Sequence, residues 1–137
     1  MHRTAVFFLV AFTLLLAGSA HSIDRAVFKQ KAKIPYALQA GSQVVKPGEY
    51  IVEIGLEGTK WILTLYSRQG KGVLRTVGHR KERLGEDPSL GEGKLRLKIM
   101  PLPDVKRPGK KVVVFMCDEN FRGRLYQIIF RVPEAAK

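Results

Sequence analysis

The side chains with the clearest chemical potential in this sequence are lysines and arginines that occur in clusters. They form three groups, within residues 75–83, 94–98 and 106–111. Cationic side chains that gather on one surface attract polyanions, whereas scattered ones only keep a protein soluble. Both arrangements are open at this stage. The candidate ligand-binding residues are Arg75, Arg80, Lys81, Arg83, Lys94, Arg96, Lys98, Lys106, Arg107, Lys110 and Lys111.

Catalytic sets have weak support in the sequence. His79 is the only histidine beyond residue 21 that could act as a base. A nucleophile for it would have to be Ser67, Ser89 or Cys117, and no glycine-flanked nucleophile turn marks any of them. An enzyme is therefore the third of three hypotheses, and we expect a protein without a catalytic site.

Carboxylates and metal ligands give no stronger signal. Glycosidases place two carboxylates across a cleft, but Glu82, Glu86 and Asp87 lie among basic residues that would compensate their charge. Zinc sites need several His, Cys or carboxylate ligands at defined spacing, and the sequence has one interior histidine and one cysteine. We therefore expect neither a metal nor a cofactor.

A mixed aromatic and basic segment near the carboxyl end supports two interpretations. Its residues are Phe121, Arg122, Arg124 and Tyr126. Such side chains could stack on a sugar or a lipid head group. The alternative is that the aromatic rings belong to the core and the arginines lie on the surface.

The amino-terminal segment has the three-part layout of a secretory signal. Arg3 precedes an apolar run over residues 5–17, and the small residues Gly18, Ser19 and Ala20 follow. We predict cleavage after Ala20. The alternative is a retained membrane anchor, since about 20 apolar residues span a bilayer. A lipoprotein is excluded by this route because serine, not cysteine, follows Gly18.

Export defines the partners that the charge could attract. The 137 residues contain 24 Lys and Arg against 12 Asp and Glu, a net charge of +12. In the periplasm or outside the cell, the polyanions are anionic membrane surfaces, cell-wall polymers and acidic polysaccharides, whereas nucleic acid is disfavoured. Cys117 follows the apolar run 112–116, which favours a buried thiol over a redox or intermolecular role.

The elements that would position these residues are short strands. Leu95, Leu97 and Ile99 alternate with Lys94, Arg96 and Lys98, which predicts a strand with an apolar inner face. Turn signals such as Pro47-Gly48 separate similar segments. We predict an all-β fold of about seven or eight strands, a single antiparallel β-sandwich or partly open barrel over residues 21–137 after a signal peptide over residues 1–20.

Several connections are also predicted. The polar, glycine-rich stretch 78–93 is expected to be a mobile loop, and residues 118–120 together with Gly123 are expected to join the last two strands. Residues 133–137 are expected to form a frayed tail. Pro35 should lie in an edge strand or end one, because proline cannot donate to a strand ladder.

Residues 28–54 resemble the start of small exported bacterial proteins of unknown function that are common in acidobacteria. Two segments carry the resemblance, Ile34-Pro35-Tyr36-Ala37-Leu38 and the stretch 44–52. The family has a "VPFxF" strand and then "LPAGxYxV". Here Lys46 departs from the pattern, and Pro47 and Gly48 are adjacent rather than separated by alanine. The resemblance implies export and a β-rich domain, and it supplies no activity and no catalytic residues.

Two non-enzymatic functions follow. The first is binding of an anionic envelope or extracellular ligand by the basic surface. The alternative is a structural or assembly protein of the cell envelope that pairs a strand edge with a partner, through the strand near Pro35 or through the final strand.

Overall fold

The computed structural model describes residues 25–83 and 89–135, so the predicted signal peptide lies outside the described residues. Within this range the chain is all-β and contains no helix that could span a membrane. The strands are β1 (Arg25–Ile34), β2 (Leu38–Ala40), β3 (Gln43–Val45), β4 (Gly48–Glu57), β5 (Lys60–Tyr66), β6 (Gly72–Arg83), β7 (Leu95–Pro103), β8 (Lys111–Phe121) and β9 (Arg124–Pro133).

Seven strands form one antiparallel sheet in the order β1-β4-β5-β6-β9-β8-β7. The sheet curls until it is nearly closed into a barrel, which confirms the predicted all-β fold and its partly open barrel form. β1 and β7 are the two edges, and β1 ends directly before Pro35, as that proline predicts. The suggestion that the final strand offers an edge is wrong, because β9 lies between β6 and β8.

Strand β6 joins the two halves of the sheet by changing its partner at Gly78. Its first half pairs with β5 up to Gly78, and its second half pairs with β9 from His79 onward. A Cβ atom at Gly78 would lie 2.4 Å from the Ile129 carbonyl oxygen and 2.4 Å from the Phe130 ring. Only glycine therefore allows β9 to approach this closely, a common role for glycine at a barrel corner.

The core lies between the inner faces of the two halves. Side chains alternate along each strand, so register assigns every residue to the inner or the outer face. Phe115 and Phe130 are cross-strand partners, and both are fully buried. The remaining buried core residues are Ile34, Leu38, Val45, Val52, Ile54, Leu63, Leu65, Leu74, Val113, Cys117, Ile128 and Val132.

The β2–β3 hairpin covers one end of the barrel. Leu38 and Val45, which are cross-strand partners, both belong to the core. The Ala135 N–H donates a hydrogen bond of 2.9 Å to the Ala37 carbonyl, and Ala135 is itself buried. The prediction of a frayed tail is therefore wrong up to residue 135, because this contact ties the chain end to the hairpin.

Two further predicted connections need correction. Residues 78–83 belong to β6, and residues 79–83 form its second half, because β9 pairs with this polar stretch and supplies its apolar partners. Residues 84–88 of the predicted loop lie outside the described residues. Residues 118–120 belong to β8, whereas Gly123 lies in the connection as predicted. The hairpin turn is Arg122-Gly123, with φ angles of 55° and 80°. Two central residues with positive φ are typical of the tight two-residue hairpin turn.

Candidate functional site

The basic row of β7 lies on the outer surface of the sheet. Leu95, Leu97 and Ile99 pack against the core, as their alternation predicts. Arg96 and Lys98 therefore lie on the opposite face, with about a third and two-fifths of their side chains exposed. Their position brings them next to the outer residues of β8.

Cross-strand register brings two of the three predicted basic groups together. Lys81 on β6 faces Gln127 on β9, Gln127 faces Asp118 on β8, and Asp118 faces Arg96 on β7. Neighbouring strands lie about 4.8 Å apart, so this row is about 15 Å wide. We call the outer surface of the second half of β6 and of β9, β8 and β7 the basic face. Its cations are Lys81, Arg83, Lys94, Arg96, Lys98 and Arg131.

Asp118 is a buried carboxylate at the centre of the basic face. It is 2% exposed. Its Oδ2 lies 3.3 Å from Arg96 Nη2 and 3.5 Å from Lys98 Nζ, and its Oδ1 accepts a hydrogen bond of 3.2 Å from Gln127 Nε2. A buried carboxylate needs such partners to offset its desolvation. Asp118 therefore holds Arg96 and Lys98 against the sheet and neutralises one of the six positive charges.

The other cations of the basic face remain directed to water. Lys81, Arg83, Lys94 and Arg131 are all exposed. Among the described residues, Asp118 is the one carboxylate whose register position lies on these four strands' outer surface. The resulting excess of positive charge on a single surface is suited to a ligand that carries several negative charges.

The third predicted group does not join the basic face. Lys106, Arg107 and Lys110 lie in the β7–β8 loop, and Lys111 begins β8. This loop follows the far end of β7, about 25 Å from Arg96 at 3.3 Å per residue. Arg107 Nε lies 2.6 Å from Asp104 Oδ2.

This loop contact serves the loop itself. The guanidinium of Arg107 lowers the pKa of the Asp104 carboxyl, the largest single cause being their hydrogen bond. Asp104 also accepts a hydrogen bond from the Lys106 N–H. These bonds indicate a local role for the group in shaping the turn between the two strands.

Arg75 also lies apart from the basic face. It is on the outer side of the first half of β6, opposite Thr64, and its Nη2 lies 2.9 Å from Glu57 Oε1. We call the outer surface of β1, β4, β5 and the first half of β6 the mixed face. Its charged residues are Lys29, Lys31, Lys33, Lys60, Arg75, Glu49, Glu53 and Glu57.

Two sets of cations were missed at the sequence level. Arg131 belongs to the basic face, and its alternation with the buried Phe130 and Val132 was the available signal. Lys29, Lys31 and Lys33 share one side of β1, where the two-residue spacing could have indicated a charged edge strand. Their spacing is the same as in β7, but their surroundings differ because β4 supplies glutamates opposite two of them.

Arg80 faces inward and forms the centre of an aromatic cluster. Its guanidinium carbon lies 3.7 Å from the centroid of Tyr126, 5.6 Å from that of Phe121 and 5.8 Å from that of Trp61. Its Nε lies 3.0 Å from Glu119 Oε1. Stacking and the ion pair together fix a long side chain that would otherwise be mobile.

The segment 121–126 therefore fits neither the predicted ligand-stacking role nor the predicted division into core rings and surface arginines completely. Tyr126 stacks on Arg80 rather than on Arg122 or Arg124, while Arg122 lies 5.1 Å from the centroid of Phe121. Phe121 remains 43% exposed. The long-range contact with Arg80 depends on β6 pairing with β9, which no local sequence pattern reveals.

A cleft of about 400 Å³ opens beside this cluster. It lies where β6 continues past its last pairing with β5, at Gly78 opposite Trp61. Lys60 and Trp61 line one side, and His79, Arg80 and Tyr126 contribute to the other. The cleft and the β2–β3 hairpin lie at opposite ends of β9.

Cys117 is fully buried, as its apolar run predicts. Burial, with smaller contributions from Glu119 and Asp118, raises the pKa of its thiol to about 12. The thiol is therefore protonated at neutral pH and a poor nucleophile. Among the residues that the structure describes, no group of three His, Cys, Asp or Glu side chains could hold a metal ion.

Comparisons with known proteins identify no relative of this chain. No protein-family model matches the sequence, and no curated protein and no solved structure matches it.

Proposed function

We propose that this protein is an exported, non-enzymatic binding protein that holds an anionic polymer or surface against its basic face. The observation that carries the proposal is the convergence of Lys81, Arg83, Lys94, Arg96 and Lys98 on one outer surface. A ligand with repeated negative charges would contact several of these cations together. Such attraction is long-ranged, and it weakens as salt screens the charges.

Pairing of a strand edge with a partner is the weaker candidate. Lys29, Lys31 and Lys33 line the outer side of edge strand β1, and Pro101 and Pro103 interrupt the donors of edge strand β7. Lysine and proline on edge strands are features that discourage pairing with another sheet. The same residues therefore favour the basic face as the binding surface.

Export is part of the proposal, and it has its own test. The signal-like residues 1–20 support it. We expect the protein recovered from the periplasm or the medium of a bacterial host to have the mass of a chain that begins at His21. A mass that includes Met1 in a membrane fraction would support the retained anchor instead.

Salt-dependent retention on immobilised heparin tests the binding proposal. The wild-type protein should elute at high salt, and the double variant Lys81→Glu with Lys94→Glu should elute much earlier. For a uniformly charged polymer such as DNA, each lost contact lowers the slope of log affinity against log salt by roughly 0.9. Two lost contacts should therefore reduce this slope by about 2.

A matched control separates the basic face from net charge alone. Lys31→Glu with Lys33→Glu changes the net charge by the same amount, but on the mixed face. We expect this control to shift elution much less. If both double variants elute together, non-specific charge explains retention and the proposed face is wrong.

A further inference from the structure

The cleft beside Arg80 has the chemistry of a small-molecule site. Its volume of about 400 Å³ lies in the usual range of ligand pockets, roughly 300–1,000 Å³. Trp61 and Tyr126 contribute aromatic surface, Lys60 and Arg80 contribute donors, and Glu82 contributes an acceptor. Aromatic surface with donors and acceptors around it matches a ring with apolar C–H faces and a rim of hydroxyl groups.

Arg80 is held ready for such a ligand. Its Nε is engaged by Glu119, and its planar group stacks on Tyr126. Its two terminal nitrogens, Nη1 and Nη2, donate no hydrogen bond to another described residue. A side chain already fixed in this way loses little conformational entropy when its remaining donors bind a ligand.

The ion pair also argues against a simple anion as the occupant. Glu119 offsets the charge of Arg80, and Glu82 adds a second carboxylate near the cleft. A bare phosphate would find Arg80 already paired with Glu119, and it would gain nothing from the aromatic surface. A sugar ring uses both the aromatic surface and the mixed donors and acceptors.

The cleft reaches the outer side of the second half of β6 at His79. His79 lines the cleft, and its register position opposite Ile129 lies on the outer side of the strand. Lys81 is the next outward residue, about 7 Å further along at 3.3 Å per residue. This is close to the spacing between neighbouring units of a polymer chain.

We propose that the cleft binds one sugar ring of an acidic polysaccharide whose adjacent units extend over the basic face. This inference rests on the proposed function and names its ligand class. It assigns Trp61, Tyr126 and Arg80 to ring recognition, and it leaves Lys81 and its neighbours to bind the charged units.

The chain provides its own reporter for this site. Trp61 is the single tryptophan in the sequence, and it lines the cleft. Titration with a hyaluronan oligomer, whose rings are alternately neutral and carboxylated, should change the tryptophan emission and reach saturation. Polyphosphate, which has charge but no ring, should displace the protein from heparin without that change in emission.

A pair of charge-reversal variants tests the position of the site. Lys60→Glu, in the cleft wall, should weaken the fluorescence-detected affinity for the oligomer by roughly tenfold. Lys71→Glu makes the same charge change in the exposed turn at the other end of β5, and it should change this affinity less than about twofold. Arg80→Gln should also lower the affinity, and a thermal melt establishes that the variant is folded.

The outcomes separate the two proposals. Salt-dependent retention on heparin with no saturable emission change by the oligomer would overturn the sugar site and leave the basic face in place. An equal emission response to polyphosphate would also overturn it, because no ring would be required. If the wild-type protein binds none of these polyanions, the proposed function itself is overturned.

Discussion

The two outer faces of this sheet have similar numbers of cations, but they differ in how many carboxylates balance that positive charge. The mixed face places Glu49, Glu53 and Glu57 among its cations, and Lys29 and Lys33 lie directly opposite two of them. Within residues 25–83 and 89–135, Asp118 is the one carboxylate with an outward register position on the basic face, and it is buried. Carboxylates placed between lysines yield a solvated surface, whereas their absence yields a field that extends into solution.

The difference comes from β4 and its counterpart in the other half. β4 carries glutamate at alternate outer positions, whereas β9 carries Leu125, Gln127, Ile129 and Arg131 at its own. Ile129 and Leu125 are nearly buried on that face. The long cationic side chains beside them can therefore cover apolar surface with their methylene groups while their charged ends reach water.

The substitution with the largest expected effect is at Gly78, where β6 passes from one half of the sheet to the other. Gly78→Ala would force a Cβ to within 2.4 Å of the Ile129 carbonyl and the Phe130 ring. We expect a loss of about 2–3 kcal/mol in the free energy of unfolding, the cost of overpacking a core. Chemical denaturation measures it.

The same strand supplies the control for this prediction. At Gly72 a Cβ would meet only the Tyr66 ring, at 3.8 Å, which is an ordinary contact. Gly72→Ala should leave stability unchanged or raise it slightly. Equal effects at both positions would contradict the close approach at Gly78.

Removal of the Asp118 carboxylate from the basic face should sharpen the contrast between the faces. Asp118→Asn removes the ionic partner of Arg96 and Lys98, and we expect it to cost about 1–2 kcal/mol of stability because both cations remain partly solvated. The variant should bind heparin more tightly than the wild type, since the face gains one net positive charge. Tighter binding by a less stable protein is an outcome that a purely structural role for Asp118 does not predict.

The mixed face offers the smallest and most local prediction. The Tyr66 hydroxyl donates a hydrogen bond of 3.0 Å to Glu53 Oε1. Burial and then this bond raise the pKa of the phenol above its usual 10.0. Tyr66→Phe should cost about 0.5–1 kcal/mol at neutral pH and leave heparin binding unchanged.

The same phenol has a defined pH dependence. Because its pKa is higher in the folded protein, its contribution is complete below the unfolded pKa and is lost as the pH rises through the folded one. The stability difference between wild type and Tyr66→Phe should therefore shrink above about pH 10. A difference that grows there would contradict the direction of the pKa shift.

Local alternation predicted much of the fold but less of the site. Leu95, Leu97 and Ile99 revealed β7, and the apolar run before Cys117 revealed a buried strand. The second half of β6 was missed because its own residues are polar and its apolar partners come from β9, which lies over 40 residues further along the chain. Pairing across that distance cannot be inferred from one segment.

The same limit applies to the site residues. Convergence of Lys81 with Arg96 depends on the order β6-β9-β8-β7, and alternation within one strand says nothing about that order. Arg80 was grouped with surface cations, although its register directs it inward to Tyr126 and Trp61. The cations of residues 106–111 resemble the other two groups in composition. They lie apart from the basic face because the length of β7 places their loop at the far end of the strand.

An amide chemical-shift map during titration with polyphosphate tests the contrast between the two faces most directly. We predict that the shifts concentrate on β7, β8, β9 and the second half of β6, around Lys81, Arg96 and Lys98, and that β1 and β4 change little. Shifts spread evenly over both faces, or concentrated on Lys29, Lys31 and Lys33, would contradict the assignment of anion binding to the basic face.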